Sequence, residues 1–102
     1  MSMNPGFQIF PSPARPAAEL LRALQALPTA NLSDNVSRHY GAGAALRPFH
    51  RGAKMLGMAF TVKTRSGDNL LAHKAIDMAA PGDVILVDAG GAMDHAIIGE
   101  IM

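Results

Sequence analysis

The sequence contains no cysteine and no tryptophan, and its 102 residues include only one tyrosine and four phenylalanines. Without cysteine there is neither a disulfide framework nor a thiolate metal site. No run approaches the roughly 18 consecutive apolar residues of a membrane span. The first ten residues, MSMNPGFQIF, lack the basic segment and long apolar stretch of a secretory signal. A cytoplasmic protein with no membrane partner is the expectation. Acidic side chains are missing from Arg38 to Arg65, a stretch that carries Arg38, Arg47, Arg51, Lys54, Lys63 and Arg65.

What is present has a globular balance, 49% hydrophobic against 17% charged. With aromatics scarce, Ala, Leu, Ile, Val and seven Met must fill the core. A chain of this length is at most one domain and buries roughly two-thirds of its unfolded surface. The net charge of +1 suggests no nucleic-acid partner, DNA included. From Asp68 to Glu100 the balance reverses, with six acids against Lys74 alone. Either the two halves neutralise each other as solvated faces, or one meets an anion and the other a cation.

Pro5, Pro11 and Pro13 make the first fifteen residues an irregular arm, since proline fixes φ and withholds a donor. Pro16 suits the first turn of a helix that places Leu20, Leu21, Leu24 and Leu27 on one face and stops at Pro28. Thr29 is a candidate N-cap for a second short helix reaching Arg38. Residues 55–65, rich in Phe60, Thr61 and Val62, read as a strand in which Gly57 allows close backbone approach. Ser66 or Asp68 caps a helix to about Ala79, with Leu71, Ala75, Ile76 and Met78 on its apolar face. After the Pro81-Gly82-Asp83 turn, VILV at 84–87 reads as a wholly buried strand, and Ala89-Gly90-Gly91 turns the chain again. Residues 93–102 have a helical pattern, with Ile97, Ile98 and Ile101 facing inward. Strand, helix, strand, helix is an α/β rhythm. Residues 16–102 then form part of a single domain whose C-terminal portion is missing, because the predicted last helix has no C-cap glycine.

Few constellations carry chemistry. The glycines of VILVDAGGAMDHA are adjacent, which does not fit the G-x-G-x-x-G of a dinucleotide site. The Gly90-Gly91 turn is either a small-anion site at a helix N-terminus or a tight structural turn. His73 and Asp77 share a helix face, but no His-x3-His pair accompanies them, which argues against a zinc site built from this chain alone. His39 and His50 fall in loops. Lys54, Lys63 and Lys74 are possible Schiff-base formers without any sign of desolvation, and no G-x-S-x-G elbow is present. Glu100 on its own is an ordinary helical carboxylate.

Taken in order, LPTANLSDNVSR (27–38), GMAFTVKTRSGDNLLAHKAI (57–76), PGDVILVDAGG (81–91) and AIIGEIM (96–102) resemble the family of 4-hydroxy-4-methyl-2-oxoglutarate aldolases and regulators of ribonuclease activity A, often mislabelled demethylmenaquinone methyltransferases. The resemblance covers about Leu27 to Met102. It implies a compact β/β/α sandwich of the RraA-like, swivelling-domain type, assembled as a homotrimer. It implies a class II aldolase that cleaves the hydroxy-keto acid to pyruvate, with oxaloacetate decarboxylation as a side activity and magnesium or manganese as cofactor. Glu100 matches the first acid of the family's signature, an acid followed about twenty residues later by Arg-Asp. Its implied role is catalytic, reaching the cation through a water, while the backbone of Gly99, Glu100, Ile101 and Met102 receives a small 2-oxo acid. The Arg-Asp pair is absent from this chain, so no direct metal ligand is expected here and the 102 residues alone are expected to be inactive. The alternative implied by the same family is a non-catalytic protein that binds and inhibits a ribonuclease.

Overall fold

The structure is a computed structural model that describes residues 7–52 and 54–99. Its elements are α1 (Ala18–Gln25), α2 (Thr29–Asn35), β1 (Ala59–Lys63), α3 (Leu70–Met78) and β2 (Val84–Asp88). The fold is α/β. β1 and β2 pair in parallel, with Ala59 opposite Val84 and Lys63 opposite Asp88, and α3 provides the crossover that a parallel pair requires.

The centre of the molecule is the packing of α3 on these two strands. Ala72 and Ala75 are its buried core, at 1% and 3% exposure. Small side chains let the helix backbone come close to the sheet. Leu71 is half-buried, but Ile76 and Met78 lie on the exposed side. The apolar face expected from Leu71, Ala75, Ile76 and Met78 is therefore turned toward Ala72. β2 is likewise less buried than its apolar sequence suggested, with Leu86 47% exposed. The strand belongs to a sheet of two among the described residues, and only α3 covers it.

α1 forms because Ala, Leu, Glu, Arg and Gln are strong helix formers, with Glu19 in the first turn and Arg22 in the last complementing the helix dipole. It ends ahead of Pro28, whose ring disfavours helical geometry in the residue before it. Leu21 and Leu24 are half-buried while Leu20 and Leu27 are exposed. Neither α1 nor α2 packs against another helix or strand. Lys54 is a tether. Its ammonium donates to the carbonyl oxygens of Gln25, at 2.7 Å, and Leu27. A cation there satisfies carbonyls left over at a helix C-terminus.

Thr29 is not an N-cap. It is the first helical residue of α2, Pro28 holds the cap position, and no side chain bonds the first turn. Proline's fixed φ already sets the extended geometry that a cap residue needs. α2 stops at Asn35, short of Arg38, because Ser37 and Arg38 both adopt φ of 61° and the Arg38 amide returns to the Ser33 carbonyl. Residues 93–99 carry no helix, contrary to expectation, and Ile98 is 61% exposed there. So short a segment stays helical only when an amphipathic face is packed, and here no helix or strand is packed against it among the described residues. Glu100, Ile101 and Met102 lie outside the described residues.

Large apolar side chains are exposed, from Phe7 and Phe10 in the arm to Phe49, Met55 and Met93 in loops. Among the described residues no helix is long and apolar enough to cross a membrane.

Candidate functional site

In open parallel sheets, ligands sit beyond the carboxyl ends of the strands, where successive loops diverge. Here that end is made by the loop 64–69 after β1 and the turn 89–91 after β2. The two are joined by backbone, since the Thr64 amide donates to the Asp88 carbonyl at 2.9 Å.

The first loop is held from within. Thr64 Oγ1 donates to the Asp68 carbonyl at 2.6 Å, and the Asp68 amide donates to the Arg65 carbonyl at 3.1 Å. The Asp68 carboxylate accepts from the Leu70 amide at 3.0 Å. Asp68, rather than Ser66, is the side chain that starts α3, and it sits one residue outside the usual cap position, which Asn69 occupies.

The second loop answers the question left open by its glycines. Gly90 and Gly91 both adopt left-handed geometry, at φ of 71° and 76°. The Gly90 amide donates to Asp88 Oδ1 at 2.9 Å. That donor is taken, and the carboxylate beside it repels anions. Since no helix follows among residues 92–99, the helix dipole that would favour an anion is also missing. The geometry is that of a structural Asx turn.

The chain then brings His95 over Gly67, where an added Cβ would lie 3.1 Å from its Cδ2. His95 Nε2 is 3.6 Å from Asp94 Oδ2, and both side chains are exposed. This end of the sheet thus gathers Asp68, Asp88, Asp94 and His95 with Arg65 into an open, mixed-charge surface. His73 and Asp77 are exposed on α3. Among the described residues, no three His, Asp or Glu side chains converge closely enough to hold a metal ion. Gly99 is exposed, and no atom comes within 4 Å of the Cβ it would carry. It is the one member of the 99–102 segment that the structure describes.

At the amino end of β2, Asp83 carries more structure than the Pro-Gly-Asp signal suggested. Its side chain is 4% exposed, and the carboxylate accepts from the two terminal Arg15 guanidinium nitrogens, at 3.3 Å through Nη1 and more closely through Nη2. It also accepts from the Ala80 amide at 2.8 Å. The Arg15 hydrogen bond, and after it the Ala80 amide, holds this carboxyl below its ordinary value of 3.8. The same bond raises the already basic Arg15. A lone acid closing a turn ahead of an apolar strand was the available signal, but its partner is 68 residues away and no local pattern connects them.

The described ion pairs do not join the basic and acidic halves. Arg38 pairs with Asp34, and Arg15 pairs with Asp83. Arg47, Arg51, Lys63 and Arg65 remain exposed.

A family model described as Aldolase/RraA, of the RraA-like type, matches residues 29–102. A protein of Halalkalibacterium halodurans, provisionally named 4-hydroxy-4-methyl-2-oxoglutarate aldolase, is 33% identical over 84 residues. That alignment covers 82% of this chain and 40% of the relative, so the chain spans less than half the length of the protein it resembles. No solved structure matches at a significant level.

Proposed function

Because the chain belongs to the RraA-like, Aldolase/RraA family, we propose that it supplies the N-terminal part of an aldolase that cleaves 4-hydroxy-4-methyl-2-oxoglutarate to pyruvate. The observation that carries this reading is the extent of the match. It runs from α2 through both loops at the carboxyl end of the sheet and on to Met102. Residues 16–102 are the N-terminal portion of one RraA-like domain, and residues 1–15 are its arm. Decarboxylation of oxaloacetate accompanies the cleavage, since both reactions leave the same pyruvate enolate.

In this reading the amides of Gly99 to Met102 receive the carboxylate of the 2-oxo acid, and Glu100 orients a water at the reacting end. The cofactor in this reading would be magnesium or manganese, reached by Glu100 through a water, and it would supply Lewis-acid chemistry toward the 2-oxo acid. The described residues do not fit such an ion. Asp68 and Asp88 spend carboxylate oxygens on backbone amides, Asp94 faces solvent, and no third donor converges with them. Residues 7–99 therefore act as framework, with two loops at the carboxyl end of the sheet joined by a backbone hydrogen bond. A lone carboxylate at position 100 does not hold magnesium against water. The 102-residue chain accordingly shows no turnover, and the working assembly is a homotrimer of the full-length domain in the cytoplasm.

The test is a graft. This chain replaces the matching segment of the Halalkalibacterium halodurans relative, and pyruvate release is measured with magnesium and with chelator. The expected result is chelator-sensitive turnover that Glu100→Gln abolishes, with none from the 102-residue chain alone. A soluble, trimeric graft without activity would remove the proposal. So would metal-dependent turnover by the isolated chain.

A second reading, inhibition of a ribonuclease by binding, draws on the exposed cations Arg47, Arg51, Lys63 and Arg65, which have no ion pair among the described residues. It requires the chain to bind a purified ribonuclease with an affinity that falls as salt rises.

A further inference from the structure

A cleft of about 540 Å³ separates the arm from the sheet and α3, away from the loops described above. The arm contributes residues 7–13 and Arg15. β1 contributes its whole length with Met58, and α3 contributes Leu71, Lys74, Ala75 and Met78. None of the candidate-site residues at 64–69, 88–91 or 94–95 lines it. Its size falls within the range of small-molecule sites, which are mostly apolar with a few polar groups that fix orientation.

The wall is about half apolar and half polar, and Phe7, Phe10, Phe60, Met58, Leu71 and Met78 supply its apolar and aromatic part. The ionisable groups on it are Arg15, Lys63, Lys74 and Asp83. Arg15 and Asp83 are occupied with each other. The two lysines have no ion pair among the described residues, with Asp88 standing opposite Lys63 in the parallel register, and the lining side chains carry two more positive charges than negative ones. Lys63 comes from the end of β1 and Lys74 from the middle of α3. The cations are thus anchored on a strand and a helix, while the arm supplies two of the three Phe side chains.

We propose that this cleft binds an amphipathic organic carboxylate, with its aromatic or aliphatic body between Phe7, Phe10 and Phe60 and its carboxylate held by Lys63 and Lys74. A purely apolar ligand would make no use of the two ammonium groups on the wall. A small hydrophilic dicarboxylate would leave the Phe and Met wall uncovered. An anion with an apolar body meets both conditions, and a charge-assisted hydrogen bond to an ammonium is roughly twice as strong as a neutral one.

The experiment titrates 2-naphthoate, and separately the neutral 2-naphthylmethanol, into the 15N-labelled 102-residue chain at pH 7, following backbone amide shifts. Naphthoate should shift amides of the arm, β1 and α3, with an affinity about tenfold above that of the alcohol. In Lys63→Gln/Lys74→Gln, both exposed positions, the two ligands should bind alike and the alcohol's affinity should not change. Equal affinities for the two ligands in the unmodified chain would overturn the proposal. So would shifts spread over α1 and the 39–50 loop, or saturation by neither ligand at millimolar concentration. The readout needs no turnover, so failure here and failure of the aldolase reading are separate results.

Discussion

Gly57→Ala isolates a single close approach between two backbones. A Cβ at position 57 would collide with the carbonyl oxygen of Gly82 and sit 3.1 Å from Val84 Cγ2 and 3.3 Å from the Gly82 carbonyl carbon. The valine methyl can rotate away, but the Gly82 carbonyl cannot. It belongs to the turn closed by the Asp83 amide on the Ala80 carbonyl at 3.0 Å. It also precedes the first rung of the parallel pair, the Val84 amide on the Met58 carbonyl at 2.8 Å. Making room for the methyl therefore costs about 1–3 kcal/mol of overpacking and about 1 kcal/mol for the strained rung. Alanine returns about 0.4–1 kcal/mol by stiffening the unfolded chain. The net loss is about 2 kcal/mol, or roughly thirtyfold in the folded-to-unfolded ratio. In urea denaturation followed by circular dichroism, a slope near 1 kcal/mol per molar turns that loss into a midpoint shift of about 2 M. Two other glycines calibrate the measurement. Gly41 has open space and no left-handed φ, so alanine there should stay within about 0.5 kcal/mol of the parent. Gly82 has open space but a φ of 89°, so its alanine should lose about 1–2 kcal/mol from backbone strain alone. If Gly57→Ala matched Gly41→Ala, the contact between residues 57 and 82 would not exist in solution and β1 would be misplaced.

Three further outcomes are expected. Asp83 has a lowered carboxyl pKa, so its contribution is present above the ordinary value of 3.8 and drains away as pH falls through the lower folded value. Acid denaturation curves of Asp83→Asn and Arg15→Gln should accordingly be flatter below pH 4 than that of the parent, and equal slopes would contradict the pairing. Asp68→Ala removes the acceptor for the Leu70 amide and should cost about 0.5–2 kcal/mol, read as a lower thermal midpoint, with Asp68→Asn recovering most of it. Lys54→Met removes the donor to the Gln25 and Leu27 carbonyls and should fray α1 without changing the exchange rates of β1 and β2 amides. Faster exchange in the strands would show that the tether supports the whole molecule.

What could be read directly from the chain was local. The periodicity of residues 18–25, the β-branched and aromatic content of 59–63 and the Pro-Gly-Asp turn placed α1, β1 and the start of β2 correctly. Gly57 was legible as a close approach because a glycine inside a strand pattern has few other uses. Burial was not legible. Apolar spacing does not show which face α3 turns to the sheet, and the choice of Ala72 over Ile76 depends on how near β1 and β2 allow the helix. The 93–99 segment was misread for a related reason, since its helical spacing is real but spacing alone supplies no partner. The Arg15–Asp83 pair and the Lys54 tether link positions 68, 29 and 27 residues apart, beyond any motif. For the candidate site, the turn at Gly90-Gly91 was visible as a turn. Its chemistry was not, because deciding between anion site and structural turn required knowing where the Asp88 carboxylate points. Glu100, Ile101 and Met102 rest on the family resemblance, and Gly99 is described without neighbours.

α1 and α2 touch neither strand, whereas α3, β1 and β2 share one small core. Opening free energy must then be graded along the polypeptide, because local unfolding removes only the contacts that a segment makes. Amides of residues 18–35 can exchange with solvent by fraying in place, yet those of Phe60, Val62 and Leu86 wait for the parallel pair to come apart. The polypeptide is thus divided into a slowly opening half and a quickly opening one at the loop that Lys54 spans.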